Sequence, residues 1–177
     1  MGAAGGPPPA AHVLPDVLEP GLLVVFCGSA ASTVSAQRQA YYAGPGNRFW
    51  RTLKEVGLTD RVLRPEEYRE LPRYGIGLTD VAKTAFGVDA QIPRHAFAPE
   101  RVAKQIALYR PRILAANGKR AAEELLGRKT TYGLQQERLS GAAVFVLPST
   151  SGRAGRFFDL SPWEDLAALV RALRSGS

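Results

Sequence analysis

Residues 22–32, LLVVFCGSAAS, join a short apolar run to a loop of small side chains. The first six residues are apolar and partly β-branched, which predicts a short buried strand over Leu22–Cys27. The strand ends in Gly28, followed by Ser29, Ala30 and two more small residues, with no acid, base or amide among them. A loop of small side chains lets a ligand approach the backbone closely. We therefore predict a binding loop whose reactive side chain lies elsewhere.

Strand-like and helix-like segments alternate along the rest of the chain. Short buried strands are predicted over 74–80, 112–116 and 143–147, and helices over 48–56, from 65, from 99, over 119–126 and from 161. This alternation indicates an α/β fold, with a mostly parallel sheet covered by helices on both faces. Ligands of such sheets bind beyond the carboxyl ends of the strands. The loops GSAAS, LTDVAK, NGK and PSTSGR (28–32, 78–83, 117–119 and 148–153) are thus predicted to meet at one edge.

Length, charge and cysteine content narrow the class of protein. The 177 residues fit one domain over 21–177, preceded by a flexible Pro/Gly/Ala-rich tail over 1–20. A net charge of +7 favours nucleic acid over a membrane surface as partner. Apolar runs stay short of the ~20 residues that a membrane-spanning helix needs. A single cysteine, Cys27, excludes an internal disulfide and a multi-cysteine metal site, and a cytoplasmic compartment is expected.

Five stretches carry a family resemblance: GPGNRFWRTLKEVGL, YGIGLTDVAK, YRPRILAANGK, YGLQ and VLPSTSGR. In order and spacing they resemble the mismatch-specific uracil/thymine-DNA glycosylases of the uracil-DNA glycosylase superfamily. The resemblance implies a three-layer α/β/α sandwich with a small, mostly parallel sheet. It also implies a monofunctional enzyme that uses no metal or organic cofactor.

The resemblance further implies a substrate and a reaction. The enzyme would flip uracil, and in some members thymine, out of mismatched double-stranded DNA and hydrolyse the N-glycosidic bond, since the reactive atoms are unreachable inside the stack. The product is an abasic site for base excision repair. A monomer is expected, associated with the nucleoid if the source is bacterial. The range of bases and the preference for single or double strands stay open.

The first loop departs from the family pattern at its most important position. An Asn that positions the attacking water in the family falls here on Ala30, whose methyl group cannot orient water. Asp80, at the end of the second predicted strand, is the best substitute, and Asp89 is the runner-up. The alternative for Asp80 is an Asx turn or helix cap. If no side chain took over, the protein would be a non-catalytic binder of mismatches or abasic sites.

The resemblance also places the substrate contacts. The backbone of Gly28, Ser29 and Ala30 would lie against the base and sugar, and Tyr42 would stack on the flipped base. Alternatively, Tyr42 packs under the loop. Asn117, at a strand end, either contacts the base or DNA or stabilises a turn.

The late loop and nearby cations are the predicted DNA contacts. Short hydroxyls and a glycine suit phosphate contact, and Arg153 matches the position of a wedge that fills the space of the flipped nucleotide. The remaining predicted contacts are Ser149, Ser151, Gly152 and Arg156, together with Lys83 and Lys119, which are alternatively ordinary surface lysines. Hydrolysis of a small nucleoside or nucleotide is a third possibility, but it leaves the wedge and the basic charge unexplained.

Overall fold

Strand β1 (Val24–Gly28) is the centre of the fold. The computed structural model describes residues 11–176, in which all five residues of β1 are buried. The strand pairs in parallel with β2 (Ile76–Asp80) on one side and with β3 (Ile113–Asn117) on the other. A strand that is covered on both faces and paired on both edges has to be apolar throughout, which is the pattern of residues 22–27.

Two further strands and a set of helices complete the molecule. Strand β5 (Ala142–Leu147) is parallel to β3, and β4 (Gly133–Leu139) is an antiparallel edge strand, in the sheet order β2-β1-β3-β5-β4. The α-helices are α1 (Thr33–Arg38), α2 (Phe49–Glu55), α3 (Pro99–Tyr109), α4 (Lys119–Leu126) and α5 (Ser161–Ser175). Short 3₁₀ helices span Pro65–Tyr74, Asp89–Gln91, Arg94–Ala96 and Gly152–Phe157.

Helices cover both faces of the sheet because successive strand residues point to opposite sides. Val24 and Phe26 belong to the apolar cluster that packs under α2 and α5, where the Phe26 ring stacks on Trp163 at 5.5 Å between centroids. Val25 and Cys27 belong to a second cluster, which packs under α3 and α4. The predicted three-layer α/β/α sandwich is confirmed.

The segment before β1 differs from the prediction of a flexible tail over 1–20. Leu14 is 1% exposed, and Val17 forms an antiparallel bridge with Leu78 through hydrogen bonds of 2.9 Å in both directions. Residues 13–17 thus cover the outer edge of β2, which would otherwise present unpaired main-chain groups to solvent. The tail prediction is wrong for residues 13–17, while residues 1–10 lie outside the described residues.

Candidate active site

The carboxyl ends of the parallel strands bring the predicted loops to one edge of the sheet. The last residue of β1, Gly28, is in register with Asp80, the last residue of β2. On the other side of β1, Asn117 at the end of β3 is in register with Leu147 of β5, which leads into the late loop. The edge therefore carries a carboxylate, a glycine and an amide side by side, with a hydroxyl-rich loop next to them.

Asp80 is buried, and its two oxygens have different surroundings. The residue is 3% exposed, and its Oδ2 lies 3.5 Å from the ammonium of Lys83. Its Oδ1 lies over Gly28, where an added Cβ would come within 2.7 Å of it. Burial raises the pKa of Asp80, and the Lys83 ammonium opposes that rise. Gly28 is thus required by the carboxylate above it.

The first loop is held by main-chain pairing and by one side-chain contact. Val81 and Ala82 donate their N–H groups to the carbonyls of Gly28 and Ser29 at 2.9 and 2.8 Å. Ser29 donates its hydroxyl to Asp89 at 2.6 Å. These contacts extend the pairing of β1 and β2 beyond the strands and fix the backbone of the loop.

Ala30 packs against the apolar core, and Asp89 accepts a hydrogen bond from the first loop. Ala30 is half-buried against the apolar cluster under α3 and α4 and brings no polar atom to the edge. Asp89 is exposed and accepts the Ser29 hydroxyl on the outer part of the loop. Of the two carboxylates singled out by the sequence, Asp80 is the buried one at the strand end.

Tyr42 lines the same place from the opposite side. Its backbone has a φ of 53°, a conformation that costs energy for a bulky side chain. The ring packs on Phe49 with centroids 4.1 Å apart, and its hydroxyl lies over Gly28, 3.2 Å from where a Cβ would be. Burial and then the Asp80 charge raise the pKa of the Tyr42 phenol.

The Tyr42 hydroxyl is short of a hydrogen-bond partner. Within residues 11–176 no donor or acceptor meets it at good distance and angle. The Asn117 side chain is near enough to favour the phenolate but does not form a well-aligned bond. A buried hydroxyl without a hydrogen-bond partner costs about 1–3 kcal/mol of stability. The Tyr42 hydroxyl and the Asp80 carboxylate are thus two polar groups that lie together at this edge.

Asn117 joins β3 to the late loop. Its Oδ1 accepts the main-chain N–H of Thr150 at 3.1 Å, and its Nδ2 donates to the Thr150 hydroxyl at 3.0 Å. The residue is 8% exposed. The turn-stabilising alternative from the sequence therefore describes what Asn117 contacts in this structure.

The late loop presents cations to solvent. Arg153 and Arg156 are exposed, and the Ser151 hydroxyl accepts the Arg153 N–H at 3.3 Å. A Cβ on Gly152 would lie 3.3 Å from the backbone of the Pro45–Gly46 turn, so the glycine allows the loop to pack closely there. Ser149 is half-buried and accepts the Ser151 N–H at 3.2 Å.

The two lysines predicted to contact phosphate have opposite environments. Lys119 is exposed at the start of α4, with its ammonium 4.6 Å from the centre of the Tyr132 ring. Lys83 is 3% exposed, and its ammonium points inward, 2.8 Å from the Tyr41 hydroxyl. The predicted phosphate contact of Lys83 is wrong, because burial keeps the ammonium from reaching a DNA backbone.

Sequence reasoning missed the charged residues behind Asp80. Asp16 lies 3.3 Å from the Lys83 ammonium and 2.6 Å from the Arg101 guanidinium. Arg101 also donates to the Asp80 carbonyl at 3.0 Å. Asp16 stood in the predicted tail and Arg101 on an ordinary amphipathic helix, so neither had a local signal.

Among the described residues, no group of three or more His, Cys, Asp or Glu side chains is arranged to hold a metal ion. No helix within residues 11–176 has the length and apolarity needed to cross a membrane.

Comparison with known proteins agrees with this fold. The model of the family described as the uracil DNA glycosylase superfamily matches residues 15–173. A solution NMR structure from Methanosarcina acetivorans, described as a candidate uracil DNA glycosylase, superposes with a TM-score of 0.66. The two chains are 27% identical, and the match covers 89% of this chain and 96% of that one.

Proposed function

Because the chain belongs to the uracil DNA glycosylase superfamily, we propose that it is a monofunctional DNA glycosylase that excises uracil from mismatched double-stranded DNA. Membership of the superfamily indicates a glycosylase that hydrolyses N-glycosidic bonds. The preference for mismatches and the roles of single residues are our proposal. The observation that carries it is the position of the Asp80 carboxylate directly over Gly28. Gly28 begins the first loop, which has no acid, base or amide of its own that could activate water.

Asp80 supplies the chemistry that the bare first loop lacks. As the bond between the sugar C1′ and the base nitrogen breaks, positive charge develops on the sugar and the electron pair leaves with the base. The carboxylate stabilises that positive charge and orients a water molecule toward C1′. The water oxygen bonds to C1′ and one water proton passes to Asp80, while the departing base anion takes up a proton from solvent. The products are a free base and an abasic site.

Recognition of the flipped base falls to the small loop and Tyr42. One face of the Tyr42 ring is taken by Phe49, and the base stacks on the other face. Gly28 has no side chain and Ala30 has only a methyl group, which lets the backbone approach the base and sugar. A mispaired base costs less to extrude than a paired one, which contributes to the preference for mismatches.

Exposed cations bind the duplex around the flipped nucleotide. Arg153 enters the space left by that nucleotide, where its planar guanidinium stacks and donates hydrogen bonds to the orphaned base. Arg156 and Lys119, with the hydroxyls of Ser149 and Ser151, contact phosphates. The net charge of +7 favours this polyanionic partner.

The test compares the wild type with Asp80→Asn on an end-labelled duplex that contains one G·U pair. Abasic sites are cleaved with alkali after the incubation, and binding is measured separately. We expect strand scission by the wild type and at least a 100-fold slower reaction in Asp80→Asn with binding retained, because the amide cannot accept the proton of water. Asp89→Asn is the matched control, and its rate should stay within about threefold of the wild type.

Other outcomes would overturn particular parts of the proposal. Scission that survives Asp80→Asn but is lost in Asp89→Asn would move the catalytic role to Asp89. An inactive wild type that binds the mismatch tightly would make the protein a non-catalytic lesion binder.

A further inference from the structure

We propose that Lys83 is a positioning residue of the site, whose ammonium holds the Asp80 carboxylate over Gly28 and is itself held by Asp16 of the N-terminal segment. The inference rests on the proposed function, because it assigns Lys83 to a reaction that Asp80 carries out. It replaces the phosphate contact expected for this lysine with a role inside the protein.

The Lys83 ammonium contacts three oxygens. It donates hydrogen bonds to the Tyr41 hydroxyl at 2.8 Å and to Asp80 Oδ2 at 3.5 Å, and it forms an ion pair with Asp16 Oδ1 at 3.3 Å. A lysine is almost never fully buried without such partners. The Lys83 side chain is therefore part of a buried network of charged and polar groups and is not a surface side chain.

Asp16 reaches this place because the N-terminal segment is tied to β2. The Val17–Leu78 bridge holds the segment on one side of Asp16, and the Val13 N–H donates to the Lys83 carbonyl at 2.6 Å on the other. The Asp16 carboxylate also accepts the Thr79 hydroxyl at 2.7 Å. The site is therefore completed by residues that precede the first strand of the sheet.

Arg101 closes the network from α3. Its guanidinium lies 2.6 Å from Asp16 and donates to the Thr79 hydroxyl at 2.9 Å and to the Asp80 carbonyl at 3.0 Å. Two carboxylates and two cations thus balance each other behind the sheet edge. The carboxylate of Asp80 that faces the edge is supported from the rear by Lys83, Arg101 and Asp16, which together carry one net positive charge.

The charges that face Asp80 act in opposite directions. Lys83 and Arg101 favour its ionised form, Asp16 disfavours it, and burial raises its pKa. The His12 imidazole of the N-terminal segment interacts with Asp16, Lys83 and Arg101, and burial lowers its pKa. Other titratable neighbours are the Cys27 thiol of β1 and the phenols of Tyr41 and Tyr42, whose pKa values are raised by burial. These three groups are neutral at neutral pH, so the balance at Asp80 is set by the charged residues.

Two substitutions should move Asp80 in opposite directions. Lys83→Met removes a nearby positive charge and should raise the pKa of Asp80 by about one unit or more. Asp16→Asn removes a negative charge and should lower it. Activity that needs the carboxylate is present above this pKa and lost as the pH falls through it. The acid limb of the rate profile should therefore move to higher pH in Lys83→Met and to lower pH in Asp16→Asn.

The experiment follows the Asp80 carboxyl carbon by NMR titration and the single-turnover excision rate on a G·U duplex across the same pH range. The Asp80 signal is identified by its loss in Asp80→Asn. Lys54→Met, at an exposed lysine of α2, is the matched control and should leave both curves unchanged. The salt dependence of DNA binding should be the same in Lys83→Met as in the wild type, because no phosphate contact is removed.

The proposal is overturned if the Asp80 titration stays within about 0.3 pH units in both variants, or if both variants shift it in the same direction. It is also overturned if Lys83→Met mainly reduces the salt dependence of binding. If Lys83→Met does not fold, Asp16→Asn alone must still show the downward shift. The NMR titration does not require an active enzyme. An inactive wild type would therefore count against the proposed function, while the Asp80 titration in the two variants would still test the contacts of Lys83.

Discussion

The two ends of the candidate edge differ in whether their charged side chains are buried or exposed. At the β2 end, Asp80 and Lys83 are each 3% exposed and are fixed by charged partners. At the β5 end, Arg153 and Arg156 are exposed on a short 3₁₀ helix that follows the strand. The Asn117–Thr150 contacts join β3 to the loop that carries this second region.

The difference between the two regions fits the roles that we propose for them. A carboxylate that orients water is most effective when it is held in place before the substrate arrives and shielded from bulk water. Cations that bind a phosphate backbone contact it directly and release its counterions, so they have to lie in solvent. We therefore expect substitutions at the β2 end to change the chemical step, and substitutions at the β5 end to change binding.

Gly28→Ala should have the largest effect of the substitutions that keep every reactive group. The added Cβ would lie 2.7 Å from Asp80 Oδ1 and 3.2 Å from the Tyr42 hydroxyl, so one of them must move. A displacement of about 1 Å can reduce a rate by about 100-fold. We expect a loss of this size in the single-turnover rate with DNA affinity changed by less than about threefold.

The control for that substitution is Gly44→Ala. The nearest atom to a Cβ there is the Ser32 hydroxyl oxygen at 3.7 Å, an ordinary contact. Its rate should remain close to that of the wild type. A Gly28→Ala variant that is as fast as Gly44→Ala would show that the carboxylate over Gly28 is not involved in the reaction.

Arg153→Ala should have an intermediate effect that depends on the substrate. On a G·U duplex we expect an excision rate about 10-fold lower, because the space of the flipped nucleotide is no longer filled. On single-stranded DNA with uracil, if it is cleaved, the rate should change little. Arg153→Lys keeps the charge but lacks the planar guanidinium, so it should resemble Arg153→Ala. Full recovery in Arg153→Lys would indicate a simple phosphate contact.

Arg156→Ala should have the smallest effect and should change binding only. Loss of one phosphate contact weakens duplex binding about two- to fivefold and reduces the slope of log K against log salt by about one. The rate at saturating enzyme should be unchanged. Lys119→Ala should behave in the same way. A reduced rate at saturation would place either cation nearer the chemistry than we propose.

The sequence was sufficient for the layers of the fold. The apolar strand at residues 22–27 and the helical spacing in α2, α3 and α5 reflect local chain geometry, so the pattern alone predicted an α/β sandwich. Strand β4 was missed because its GLQQERL residues lie at a sheet edge and are mostly exposed, which leaves no apolar signature. In the segment before β1, the buried residues Leu14 and Val17 follow a Pro/Gly/Ala-rich stretch, so they were interpreted as part of the tail.

For the site, the sequence predicted which residues lie at the sheet edge more reliably than it predicted whether their side chains are buried. Asp80 was selected because it ends a strand next to the small first loop, and the Gly28–Asp80 register places it there. The phosphate contact expected for Lys83 was wrong, since a lysine gives no local sign of whether its ammonium is in water or behind a carboxylate. The left-handed backbone of Tyr42 likewise had no signature in the neighbouring residues.

The residue pattern of the chain is enough to predict the class of fold, the edge of the sheet where the loops meet, and a first loop without an acid, base or amide. These depend on strand and helix periods and on residue types, which are local properties. The gathering of Asp16, Lys83 and Arg101 behind Asp80 is visible only in the folded molecule. Those residues are separated by as many as 85 positions along the chain, and burial brings them together because a buried charge has to find a partner of opposite sign.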